Sequence, residues 1–185
     1  MNHEKVEYFI MGVKTLTDAR YFSAMGADFL HFDLDPKSPF FIDGNQYRAI
    51  IEWVEGSQVI CSFDHLFDEE EIRSLIEIPQ VSGVLSQYPD MLDYVHRIQP
   101  EALLFQRLHG DPAELDKDLP LAGIVTDRET VSSERQYILY PDAELAMDGI
   151  LRNKEEYGVA LHPGGEEEVG IKDFEIYDRL FYGEF

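Results

Sequence analysis

Eight short apolar runs, spread almost evenly along the chain, constrain its fold more than any other feature. They are Val6 to Val13, Phe29 to Leu34, Val59 to Phe63, Gly83 to Ser86, Ala102 to Leu108, Ala122 to Val125, Tyr137 to Tyr140 and Gly158 to Leu161. Most are rich in Val, Ile, Leu, Phe or Tyr, and acidic residues, Gly or Pro often bound them. Short runs of this composition read as strands buried on both faces, as in a parallel sheet.

Helical spacing fills the gaps between the early runs. Thr17 is placed to cap a helix carrying Ala19, Phe22 and Met25, with Gly26 as its stop. Asp43 precedes Tyr47, Ile50, Ile51 and Val54, while Asp68 and Glu71 form an N-cap and N3 pair before Ile72, Leu75 and Ile76. Asp90 precedes Leu92 and Val95, and Phe174, Tyr177, Leu180 and Phe181 line one face of a final helix. Alternating strands and helices predict parallel pairing with right-handed crossovers.

After the fifth run the helical pattern thins. Asp111 to Pro120 leaves room for about one helical turn plus loops, and Arg128 to Arg135 is no proper crossover helix. A (β/α)8 TIM barrel typically takes ~250 residues, so in 185 residues its outer helices would be trimmed or missing in the second half. On counting alone, a doubly wound open sheet suits the length better. Either architecture makes residues 1–185 a single domain, with no residue-level repeat and no low-complexity linker.

Charge narrows the partners. Fifteen Lys and Arg face 37 Asp and Glu, a formal net charge of -22 at pH 7. That balance argues against nucleic acid and against an anionic membrane surface. No stretch approaches the ~20 apolar residues needed to span a bilayer. Cys61 stands alone, so no internal disulfide forms, and its place in an apolar run reads as core filling. The polar opening from Met1 to Glu7 does not read as a signal peptide, and the expected location is the cytoplasm.

Two motifs settle the choice of fold. The first is Met11-Gly12-Val13-Lys14-Thr15-Leu16-Thr17-Asp18-Ala19, followed by Gly26-Ala27-Asp28, Phe32, Pro36-Lys37-Ser38-Pro39 and Phe40-Phe41. The second is Gly164-Gly165-Glu166-Glu167-Glu168-Val169-Gly170-Ile171-Lys172-Asp173. Both resemble phosphoribosylanthranilate isomerase, a small (β/α)8 barrel of tryptophan biosynthesis. Together they cover about 35 residues in the right order, and the strand spacing between them extends the resemblance over almost the whole chain. The barrel is therefore the expected fold.

What the resemblance implies for function is mixed. The family's catalytic cysteine, its general base, falls at Met11, and a thioether has no useful basicity. The arginine that helps hold the substrate carboxylate falls at Phe40, which offers packing and no donor. The family's general acid matches Asp127, and an arginine sometimes present after strand five matches Arg107. Of the phosphate-binding glycines, Gly164 and Gly165 remain after strand eight, whereas strand seven runs into Pro141 and Asp142.

In a barrel, the C-terminal strand ends form a mouth that gathers His31, Asp33, Asp35, Asp64, His65, Gln87, Arg107, Asp127, Asp142 and His162. Carboxylate and imidazole pairs there could run acid/base proton transfer, with Asp127, His31, Asp33 and His162 as the candidates. The same acids could equally face water or cap the next helix. Arg107, Gly164, Gly165, Met11 and Phe40 are the candidate ligand-binding residues. No short metal-ligand motif occurs, so neither metal nor other cofactor is expected.

Three functions fit. One is a divergent relative that has lost the isomerase chemistry and acts on or binds a small molecule. Another is a working isomerase with a relocated base. The third is a non-catalytic interaction protein, whose trimmed barrel sides would favour a homo-oligomer.

Overall fold

A computed structural model describes residues 6–65, 68–109, 115, 118–128, 135–153, 157–164 and 173–183. All eight expected strands are present: β1 (Tyr8–Ile10), β2 (Phe29–Asp33), β3 (Gln58–Ser62), β4 (Val81–Ser86), β5 (Leu103–Leu108), β6 (Leu121–Thr126), β7 (Gln136–Tyr140) and β8 (Gly158–Leu161). Each pairs in parallel with the next, and β8 pairs with β1 to close the ring. The architecture is a (β/α)8 barrel, and closure leaves the sheet no edge. The open sheet suggested by chain length is thereby excluded. Strands this short and connections this spare let the barrel close within 185 residues.

Alternation along each strand divides the apolar residues into two sets. One set faces the helices, among them Leu30, Phe32, Val59, Cys61, Val84 and Leu104. The other, Phe9, Met11, Phe29, Ile60, Leu85, Phe105, Val125, Tyr137 and Ala160, fills the barrel. Its lower part is aromatic. The Phe9 ring stacks on Phe29 at 5.1 Å and meets Phe105 and Tyr137 edge-on at 5.2 and 5.4 Å. Such pairs add ~0.5–1.5 kcal/mol each beyond area burial. Gly158 makes the fourth ring possible, because a Cβ there would sit 2.3 Å from Tyr137.

Among the described residues six helices form the outer layer: α1 (Leu16–Met25), α2 (Gly44–Ile51), α3 (Glu69–Ile76), α4 (Pro89–Ile98), α5 (Ala143–Asn153) and α6 (Glu175–Tyr182). Asp43 and Asp68 cap α2 and α3, and Gly26 ends α1 with a left-handed φ of 83°, all as the sequence implies. The α1 cap is Thr15 rather than Thr17. Thr15 keeps extended backbone and accepts from the Asp18 amide, while Thr17 already lies in the first turn. In α4, Pro89 opens the helix, so Asp90 belongs to its first turn. The final helix packs an aromatic seam against α1 and β1, with Phe22 on Tyr177 and Tyr8 on Phe181.

The second half is trimmed, though less than the pattern implied. Among the described residues no helix joins β5 to β6 or β6 to β7. After β7, however, α5 forms where no helical spacing is visible. Its buried face is Ala143, Ala146 and Met147, while Leu145 and Leu151 are exposed, so the usual apolar stripe is blurred. Asp142, which would repel an anion, caps this helix by accepting from the Leu145 amide at 2.8 Å.

Candidate functional site

The mouth is built by the residues two positions beyond the aromatic layer. On β2, Phe29 is followed inward by His31 and Asp33, and the parallel register sets Asp33 beside Ser62 of β3. With Gly12, just beyond β1, the residues His31, Ser62 and Asp33 form a directed chain of hydrogen bonds. The Gly12 amide donates to Nδ1 of His31 at 3.1 Å. An N–H pointing at Nδ1 fixes the tautomer: the ring proton is on Nε2, 2.9 Å from Ser62 Oγ. Ser62 in turn donates to Oδ1 of Asp33 at 3.0 Å.

His31 is 2% exposed, and burial pushes its imidazole down to about 4, with Arg107 and His162 adding to the effect and Asp33 opposing it. It stands neutral, with both nitrogens engaged. Asp33 also accepts from the Asp35 amide at 3.0 Å, again through Oδ1, so Oδ2 carries no hydrogen bond among the described residues.

His162, two residues beyond Ala160 on β8, reaches the mouth from the opposite side. Its Nδ1 lies 2.9 Å from the carbonyl oxygen of Met11, an acceptor only, so Nδ1 bears the proton and Nε2 keeps its lone pair. Burial lowers its pKa, the bond to Met11 works against that, and the Arg107 charge reinforces it. Phe40 covers the imidazole at 4.1 Å with the planes 7° apart. The same ring lies on Gly12, whose φ is +67° and whose absent Cβ would sit 2.8 Å from Phe40 Cγ. Glycine is required there on both counts. Met11 itself is fully buried inside the barrel.

A second group of polar residues lies toward β3 and β4. Asp35 pairs with His65 at 2.5 Å, and Asp64 accepts from the Ser86 hydroxyl and, at 3.4 Å, from the Gln87 amide. Burial raises the Asp64 carboxyl, and the neighbouring Asp35 and Asp33 charges add to it. Among the described residues no three metal-ligating side chains come together as a metal site.

The structure brings His31, Asp33, Arg107, His162, Met11 and Phe40 into one mouth, whereas the other candidates are exposed, already bonded or outside the described residues. Asp127 has a side chain 58% exposed and lies 3.7 Å from the guanidinium of its own neighbour, Arg128. The Gly164 amide donates to the Tyr177 hydroxyl at 2.5 Å, so that N–H is already used. Gly165 lies outside the described residues. Sequence reasoning missed Ser62, which joins His31 to Asp33, and Tyr177, which takes the Gly164 amide. Ser62 left a trace, as a hydroxyl in phase with Ile60 and Asp64 on a strand end. Tyr177 left none, reading only as one member of an apolar helix face.

No family profile matches the chain, and no curated protein matches its sequence. Solved structures do match. Phosphoribosylanthranilate isomerase from Thermotoga maritima superposes with a TM-score of 0.72 at 18% identity, over 96% of this chain and 99% of that one. The Thermus thermophilus isomerase gives 0.72 at 21% identity, over 95% and 96%. TrpF from Jonesia denitrificans gives 0.74 at 15% identity, over 96% and 97%. The chain has the fold of phosphoribosylanthranilate isomerase. It spans nearly the full length of those isomerases, so the barrel is shared from β1 to the last helix, as the two motifs implied.

Proposed function

We propose that this chain is a phosphoribosylanthranilate isomerase-like barrel that has lost the isomerase chemistry and binds a small molecule at its mouth. The observation that carries this reading is the Phe40 ring seated on both Gly12 and His162, above a buried Met11. By the resemblance, Phe40 stands where a carboxylate-holding arginine would be and Met11 where the base would be. Neither offers a proton acceptor or a cation. Two further features agree. Asp127, matched to the family's acid, is half exposed and faces Arg128. The Gly164 amide, matched to the phosphate cradle, is bonded to Tyr177.

A second reading, an active isomerase with a relocated base, draws support from two atoms left basic in the mouth, Asp33 Oδ2 and His162 Nε2. His31 is not a third, because its unprotonated nitrogen already accepts from Gly12. In that reading Asp127 would protonate the ring oxygen of the ribosylamine, and one of the two bases would remove the proton at C2′.

Phosphoribosylanthranilate turnover separates the two. Wild type and Asp127→Asn are expected to be silent at high enzyme concentration, and a Met11→Cys, Phe40→Arg double variant to gain measurable turnover. Turnover by wild type that Asp127→Asn abolishes would establish the second reading instead.

A further inference from the structure

Arg107 follows Phe105 inward on β5, and its positive charge acts on both His31 and His162. Asp33 acts on the same two imidazoles from the other side. Opposite charges sharing two neighbours ordinarily pair, yet among the described residues the Arg107 side chain makes no hydrogen bond or ion pair. Asp33 is only 9% exposed and spends both of its hydrogen bonds on Oδ1. A half-buried guanidinium and a buried carboxylate oxygen thus stand at one barrel mouth without side-chain partners among the described residues, an arrangement whose desolvation cost falls when a ligand spans them.

We propose that the mouth takes a small zwitterion, with its carboxylate on Arg107 and its ammonium on Oδ2 of Asp33. This rests on the reading that the mouth binds a small molecule. A single carboxylate matches a single guanidinium, and the planar fork of Arg is suited to two parallel bonds with it. The ammonium has a second acceptor in His162 Nε2, whose other nitrogen is fixed on the Met11 carbonyl. A second anionic group is disfavoured, because Asp64 stands close enough to both Asp33 and Asp35 for their charges to act on it, in a chain of net charge -22. The Phe40 ring supplies an apolar wall for the carbon skeleton between the charged ends.

Matched probes test it: γ-aminobutyrate and β-alanine as zwitterions, butyrate with the anion alone and butylamine with the cation alone, each titrated by calorimetry. At least one zwitterion is expected to bind tenfold or more tighter than both single-charge probes. Arg107→Gln is expected to cost that zwitterion tenfold or more while leaving butylamine unchanged. Asp33→Asn keeps Oδ1 for Ser62 and the Asp35 amide, so the site stays built, and it should erase the preference over butyrate. Equal affinity for butyrate and γ-aminobutyrate, no binding by any of the four, or binding indifferent to both substitutions would overturn the proposal. None of those results touches the loss of isomerase chemistry, which the turnover assay decides separately.

Discussion

At the lower end of the barrel, Phe9, Phe29, Phe105 and Tyr137 fill the interior with four rings in mutual contact. Two residues further along the same strands, Met11, His31, Arg107 and Leu139 take their places. The backbone is the same and the packing rule is not. Rings below are held by shape, and any neighbour of similar volume would serve nearly as well. Polar groups above are held by direction: the Gly12 N–H at Nδ1, then Nε2–H to Ser62, then the Ser62 hydroxyl to Asp33. The difference explains how a barrel keeps its fold while the residues at its mouth change. Closure and core are set one layer below the chemistry.

That contrast can be broken from either layer, and the largest effect belongs below. Phe105 is 1% exposed and touches three other rings, so Phe105→Ala is expected to cost about 3–5 kcal/mol in urea unfolding. A loss under 1 kcal/mol would mean that the floor is not the source of stability.

Next comes pH. The folded His31 titrates near 4 against 6.5 for the free imidazole, so the unfolded chain takes up a proton at that site before the folded chain does. Its contribution is fully present above about pH 6.5 and is lost as pH falls toward 4, at up to about 1.4 kcal/mol per pH unit. Asp64 works the other way: with its folded pKa raised, the folded state binds that proton more readily and gains stability on acidification. Comparing wild type with His31→Gln between pH 7 and 4.5 isolates the histidine. The variant should show the shallower loss, and identical slopes would remove His31 from the account.

The smallest effect sharpens the comparison at a single hydroxyl. Ser62→Ala strands the Nε2–H of His31 and takes one of two donors from Asp33, an expected cost of about 1–3 kcal/mol. Equilibrium unfolding reads it directly. A shift within 0.5 kcal/mol, the ordinary surface range, would show that the chain of bonds is replaceable by water.

Much of the scaffold was legible. Runs of Val, Ile, Leu and aromatic residues marked all eight strands because a strand buried on both faces admits little else. Asp43 and Asp68 marked two helix starts because a carboxylate side chain answers exposed amides. The α5 helix escaped because Ala143 and Ala146 bury a face too small to register, while Gly149 makes room for Tyr140. In the site, His31 and Asp33 were readable as strand-end neighbours two residues apart. Ser62 between them was not, since it lies on another strand and only the register Asp33↔Ser62 brings it there.

Sequence alone determined the alternation of buried strands with helices and named His31, Asp33 and His162 as mouth groups, and through the family resemblance it marked the absence of a base at Met11, because these depend on periodicity, on motif and on what a side chain is made of. Tertiary structure decided which of those groups remain available. His31, Asp33 and His162 are all potential bases by composition, yet closure of the barrel sets the Gly12 amide on one and the Met11 carbonyl on another. It leaves Asp33 one oxygen, Oδ2, without a hydrogen bond among the described residues. Availability depends on which hydrogen bonds are already made; the partners come from the end of β1 and from β3, and they meet groups on β2 and beyond β8 only when the ring closes.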